Sequence, residues 1–401
     1  MADREVVIIN GARTAIGRFG GVFKNLTLVD LGVAAIRGAL QKSGVNPEQI
    51  DEVIIGNARQ AGNGPNPARI VSFNAGIPVT VPAYTVNQAC TSGMLSIMLA
   101  AQSITLGNSG IVLAGGMEHH SSIPYLDMNT RWGARMGDVT LVDGLLHDGY
   151  HCGIEHEHMG LLTDRYAEEL GITREEQDQF SLESQQKVAK ANESGFFAKT
   201  IVPVEVPQRK GRPPITIQED ETPRPDSTLE GLAKLPPAFR SNGTITAGNA
   251  PPIPDGASAV VVTSREKADE LGIKPLGKVV SYTVTACEPK KFATAPVQAV
   301  LEVLKKAELT LDDIDLIEIN EAFAAQVIAV IRALGLDANK VNIHGGGVSL
   351  GHPTGMSGNR ITLDVLNSLK ECGGHYGLAA ICANGGHGGA IVVEASTEVN
   401  G

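Results

Sequence analysis

Cys90 stands where a cysteine is able to act as a nucleophile. An apolar run (Val81, Ala83, Tyr84, Val86) ends in small polar residues, and a helix is predicted from Ser92 through Leu95, Ile97, Leu99 and Ala100 to about Thr105. The thiol therefore falls at a strand-to-helix turn, where free N–H groups and the helix dipole favour a thiolate. A thiolate attacks acyl carbons. The same position also suits a small buried hydrophobe, the common fate of a lone cysteine.

Three later stretches share this character. Asn320-Glu321-Ala322-Phe323-Ala324 follows a strand end; Gly345 to Gly355 is a glycine-rich loop carrying His352 into a helix; Cys382 to Gly389 lies at another strand end. Ligands of α/β sheets gather outside strand C-termini, so these loops are expected to be neighbours. A patch of His147, His151, His156 and His158, with Cys152 and Glu155, has the side chains of a metal site. Only a continuous helix would align His151, Glu155 and His158, and Gly149 and Gly153 weaken it, so no metal is assigned. Arg209-Lys210-Gly211-Arg212 reads as a solvated hairpin in preference to a phosphate contact.

The elements that position these residues alternate between strand and helix. Strands are predicted at 5–10, 52–56, 111–114, 258–263, 278–285, 316–319, 379–382 and 390–394, with a loop over Gly11–Gly17. A capping box, Thr27-x-x-Asp30, opens a helix that keeps its apolar spacing until Gly44. From about Ser121 to Ile253 the texture turns polar and irregular. Helices are expected there at about 159–170 and, behind Thr173-x-x-Glu176, at 174–192; the Pro- and Gly-rich segments 202–214 and 223–237 read as loops with short strands.

An internal repeat is the most informative feature. Ala35–Ala61 aligns without a gap on Ala299–Ala325, and Cys90-Thr91-Ser92-Gly93-Met94 falls almost opposite His352-Pro353-Thr354-Gly355-Met356. Two similar α/β halves thus present a reactive side chain at equivalent turns, packed as sheets covered by helices.

Composition sets outer limits. The 401 residues are enough for two or three domains. A net charge of −11 without a basic tail argues against nucleic acid. Five scattered cysteines argue for a reducing compartment rather than a disulfide framework. No membrane-spanning run, signal or transit peptide, or C-terminal peroxisomal tripeptide is read, so a cytoplasmic location is expected.

With these motifs assembled, the chain resembles the thiolases, acyl-CoA acyltransferases, over essentially its full length. Val86 to Gly93 (VNQACTSG) resembles the family's nucleophile segment. Asn320 to Ala324 (NEAFA), Gly345 to Gly358 (GGGVSLGHPTGMSG) and Cys382 with its glycines resemble the other three active-site motifs. Met136-Gly137-Asp138, His158-Met159-Gly160 and Gly243 to Ala250 are also family-like. The resemblance implies a five-layer αβαβα thiolase fold of duplicated halves. Residues 1–121, completed by about 254–275, would form the first half, 122–253 a loop domain over the active site, and 276–401 the second half. It further implies a homodimer or homotetramer with no permanently bound cofactor.

The resemblance also implies roles. Cys90 would carry the acyl group as a thioester, and His352 would deprotonate it and then help stabilise a thioester oxygen. Cys382 would shuttle a proton, a task that suits a thiol whose ordinary pKa is about 8.5. Asn320 would hold a water beside His352 as one oxyanion hole, and the N–H groups of Cys90 and Asn384 would form the other. Coenzyme A, as substrate, would meet His158, Met159 and Arg224, with Phe239, Ala247, Ala250 and Phe323 around its pantetheine arm.

Two departures bear on the substrate. Family members usually read Asn-Ala-Ser-Gly where this chain has Asn249-Ala250-Pro251-Pro252, which removes a hydroxyl and stiffens the loop. Asn384 replaces the first glycine after the C-terminal cysteine motif, and His387 interrupts the run. The expected reaction is reversible thiolysis or Claisen condensation of a 3-oxoacyl-CoA, with acetoacetyl-CoA as the first expectation and a bulkier or branched ester as the alternative. A scaffold that binds acyl-CoA without turnover is disfavoured, because all four reactive positions are present.

Overall fold

The strands of both halves join in one order. The computed structural model describes residues 4–208 and 211–396, so Arg209 and Lys210 of the basic cluster lie outside it. The principal strands are β1 (Val6–Thr14), β2 (Glu52–Gly56), β3 (Ala83–Val86), β4 (Ile111–His119), β5 (Pro254–Ser264), β6 (Gly277–Ala286), β7 (Leu316–Ile319), β8 (Tyr376–Ala383) and β9 (His387–Ala395). They pair in the order β7-β8-β9-β6-β1-β5-β4-β2-β3. Read outward from the β1–β6 junction, both halves run antiparallel, antiparallel, parallel. The junction itself is short, Val7 against Lys278 and Ile8 against Gly277.

Alternation along the strands builds the layers, because successive side chains face opposite ways. On the outer face of the first half, Ile9, Val53, Ile55 and Leu113 pack with α1 (Leu28–Ser43) and α2 (Pro67–Ala75). On its inner face, Ile8, Ile54, Val112 and Val260 share a core with α3 (Ser92–Leu106), α8 (Thr354–Cys372) and Ile381 and Ile391 of the second half. Beyond them, Leu378, Ala380 and Val392 pack on α6 (Ala295–Ala307) and α7 (Ala324–Leu334). The result is five layers, αβαβα. The inserted stretch contributes α4 (Met159–Glu169) and α5 (Arg174–Glu193), the latter opened by the Thr173–Glu176 capping box.

Where the structure departs from the sequence reading, polar residues in buried places explain it. β1 runs on to Thr14, through most of the predicted loop: Arg13 is fully buried, paired to Asp220 at 2.7 and 2.8 Å. β4 likewise continues past Ala114 to His119, matched by β5 as far as Asp255. A short helix, Leu229–Ala233, lies in the predicted Pro-rich loop, started by Thr228 accepting from the Gly231 N–H. Ala89–Leu106 is, against expectation, long and apolar enough to pass for a membrane span. It is the α3 region, apolar on all sides because it lies between the two halves.

Candidate active site

Cys90 and His352 come to one cavity because the starts of α3 and α8 pack backbone to backbone. Gly93 and Gly355 each lie three residues after the reactive side chain, and a Cβ on Gly93 would stand 2.6 Å from the Gly355 carbonyl oxygen. Only glycine permits that approach. The nucleophile turn is tight: Ala89 takes a left-handed φ of 48°. The Ser92 hydroxyl fastens the turn, accepting from the Gln88 N–H at 2.8 Å and donating to the Ala89 carbonyl at 2.6 Å.

Cys90, His352 and Cys382 line one cavity of about 250 Å³. With them are Arg59, Tyr150, Thr354 and Asn384, and, toward the insertion, His158, Met159, Phe239, Ala250 and Phe323. Gly160 makes room for the Phe239 ring, which a Cβ there would meet at 2.1 Å. The His158 ring stacks near Phe239, 4.8 Å between centroids, and its Nδ1 accepts from the Gly160 N–H at 3.0 Å to cap α4. Arg224 and Ala247 are exposed and stand outside this lining.

The sequence-predicted thiolate setting is reversed. Burial pushes the Cys90 thiol up, opposed by the Arg59 charge and by the backbone N–H groups of Asn384 and of Cys90 itself. Both N–H groups favour the thiolate form, though less than burial disfavours it. Burial, followed by Arg59, His120 and Arg360, holds His352 well below the ordinary imidazole range. The resting pair is therefore neutral thiol and neutral imidazole. Cys382 is pushed well above the usual thiol range by burial and then by Cys90, so it rests as an acid rather than near neutrality.

The His352 tautomer follows from its neighbours. Nδ1 lies 2.7 Å from Ser357 Oγ, which donates in turn to the Pro353 carbonyl at 3.1 Å. A hydroxyl that has given its hydrogen away accepts Nδ1–H, which leaves Nε2 as the free base. The Asn320 amide nitrogen sits 3.4 Å from Nε2 and 3.5 Å from Nδ1, beside the ring and behind the cavity lining.

The His-rich patch is not one helix. It is a π turn at Leu146–Tyr150 followed by two short strands, His151–Cys152 and Glu157–His158, and no group of three metal-ligating side chains converges among the described residues. Asn384 fastens this segment, donating to the carbonyls of Gly149 at 3.3 Å and His151 at 3.0 Å. Its side-chain amide N–H groups are therefore engaged by the protein itself, apart from the backbone N–H of the same residue.

Sequence reasoning missed Arg59, Tyr150, Thr354 and Ser357. Arg59 reads as part of a polar turn, Asn57-Ala58-Arg59-Gln60, yet it is 4% exposed. Ser357 lay within a recognised motif, and its i+5 spacing from His352 was the available signal.

Residues 6–266 match the N-terminal domain of the thiolase family and residues 273–395 its C-terminal domain. The chain is 47% identical over 390 residues to an acetyl-CoA acetyltransferase of Chromobacterium violaceum, covering 97% of this chain and 99% of that protein. It is 46% identical to one of Cupriavidus necator over the same shares. Its fold superposes on the crystal structure of the Bacillus anthracis acetyl-CoA acetyltransferase with a TM-score of 0.96 at 43% identity, covering 98% of this chain and 100% of the other. Human mitochondrial 3-ketoacyl-CoA thiolase in complex with CoA superposes at 0.93 with 39% identity, covering 98% of each chain. Two matched domains, a shared five-layer fold and a reactive cavity between the halves place this chain in the thiolase family of acyltransferases.

Proposed function

We propose that this protein catalyses the reversible thiolysis of 3-oxoacyl-CoA esters through an acyl group carried on Cys90. The observation that supports it most is the single cavity shared by Cys90, His352 and Cys382. In thiolysis, the Cys90 sulfur attacks the C3 carbonyl as His352 Nε2 takes the thiol proton. The C2–C3 bond breaks, and its electron pair takes the proton of Cys382, releasing acetyl-CoA. The Cys382 thiolate then accepts the proton of incoming CoA. The CoA sulfur displaces Cys90, which recovers its proton from His352. Condensation is the reverse.

Asn320 serves beside His352, and the N–H groups of Cys90 and Asn384 receive the oxyanion of the acyl-Cys90 thioester. His158, Met159, Phe239, Ala250 and Phe323 hold the pantetheine arm, with Arg224 and Ala247 assigned to the outer part of CoA. Residues 122–253 act as the unit covering the site. A cytoplasmic homodimer or homotetramer completes the reading. Acetoacetyl-CoA is the first substrate; a bulkier or branched 3-oxoacyl-CoA is the alternative, suggested by the departures at Pro251, Pro252 and Asn384, which line the cavity.

The test is to incubate the protein with acetoacetyl-CoA, quench in acid and map the adduct by mass spectrometry. An acetyl group on Cys90 is expected. An adduct on Cys382 or Cys152 with Cys90 unmodified would overturn the assignment.

A further inference from the structure

Arg59 is a buried cation in the wall of the reactive cavity, and its carboxylate neighbour does not bind it closely. Glu118, fully buried, is already supplied with donors. Its Oε1 accepts from Asn57 Nδ2 at 2.8 Å and from the Arg59 backbone N–H at 3.0 Å. Its Oε2 accepts from the Thr354 hydroxyl at 2.6 Å, the Gly355 N–H at 2.9 Å and the Ala58 N–H at 3.2 Å. Arg59 Nη1 stands 3.9 Å from that oxygen, beyond hydrogen-bond reach. The guanidinium itself donates to Thr354 Oγ1 through Nη1 and to the Gly149 carbonyl through Nη2 at 2.7 Å. A guanidinium has five N–H donors, and Nε is buried with no acceptor. Glu118 balances the buried charge from 3.9 Å, but the Nη groups keep unfilled N–H donors, and a carboxylate entering the cavity that Arg59 lines would fill them.

The surroundings fit such an anion. The Arg59 guanidinium lies 5.2 Å over the Tyr150 ring, which is stacked in turn at 6.0 Å on His158. Tyr150 and Arg59 thus extend the wall that begins with the pantetheine-arm residues Phe239 and His158. Burial drives the Tyr150 hydroxyl pKa upward, so it remains a neutral donor. Leu146, Phe292 and Ala322 add apolar surface to the same lining.

Resting on the thiolase reading above, we propose that Arg59, supported by Tyr150, binds a carboxylate on the acyl group, making 3-oxoacyl-CoA esters of dicarboxylic acids the preferred substrates.

The test compares esters of equal length that end in methyl or carboxylate: 3-oxohexanoyl-CoA with 3-oxoadipyl-CoA, and 3-oxoheptanoyl-CoA with 3-oxopimeloyl-CoA. Thiolysis kcat/KM should favour the carboxylate ester by at least about tenfold in one pair, the scale of a charge-assisted hydrogen bond. In Arg59→Leu that ratio should fall to near one or below, and Arg59→Lys should keep part of it. If the wild-type enzyme cleaves the methyl esters or acetoacetyl-CoA but prefers no carboxylate ester, the proposal falls and the thiolase reading stands. If it cleaves no ester at all, both fall. The wild-type ratio decides the matter even if the variants fail to fold.

Discussion

Ser357 Oγ lies 2.7 Å from His352 Nδ1, and that contact makes Nε2 the basic nitrogen of the site. Ser357→Ala leaves Nδ1–H without its acceptor and frees the ring to change tautomer. Single-turnover acylation by acetoacetyl-CoA should slow by roughly 10- to 100-fold, the size of effect expected when a supporting hydrogen bond is removed. Thermal stability should also fall, by on the order of 1 kcal/mol, because a buried donor is left without its partner.

The depressed basicity of His352 sets the acid limb of activity. A base that is neutral down to well below the ordinary imidazole pKa of about 6.5 stays competent there. A kcat/KM profile should therefore hold level from about pH 8 down to about pH 6, and fall only at lower pH. An acid limb centred at 6.5 or above would contradict a buried, uncharged His352.

Asn384→Gly should unfasten the segment over the cavity. It removes the hydrogen bonds to the Gly149 and His151 carbonyls, leaving Arg59 alone on Gly149. Amide exchange over residues 146–152 should accelerate, measured by mass spectrometry, and kcat/KM for acetoacetyl-CoA should drop about tenfold, or ~1.4 kcal/mol. Unchanged exchange would show that the remaining contacts hold the segment.

Glu318 carries a pH-dependent cost. Burial first, then Asp364 and Glu321 against Arg360 and Lys187, raises its carboxyl well above the usual range. Folded protein keeps a proton that the unfolded chain loses above about pH 4.3. This group's stabilisation is therefore present below that pH and lost as pH rises toward the folded value. Glu318→Gln should stabilise the protein at pH 7.5 by on the order of 1–3 kcal/mol in urea unfolding. It should also flatten the decline with rising pH.

The sequence carried most of what local chemistry decides. Thr27 and Gly44 mark both ends of α1, as observed, because capping needs only neighbouring atoms. β2 and β7 fall where the repeat puts them. What it did not carry depends on distant partners. Arg13 looks like a loop residue until Asp220, 207 positions away, neutralises it. Arg59 has the same disguise, and Glu118 and Thr354 are its distant neighbours. The Cys90 expectation erred in the same way: the helix start was correctly read, but the desolvation that outweighs it comes from the packed halves.

The place of β1 between β5 and β6 also governs how the molecule is made. This first strand is synthesised some 250 residues before its partner β5, which ends at Ser264. At about 5–20 residues per second, the ribosome delivers that partner roughly 12–50 s later. Meanwhile Val6-Val7-Ile8-Ile9 has no native strand beside it, although the helices α1 and α3 that cover its two faces emerge before β5 does. Every newly made copy passes through an interval in which its first strand is a sticky, unpaired ribbon. That edge of β1 stays open until the far end of the insertion has been made and β5 emerges.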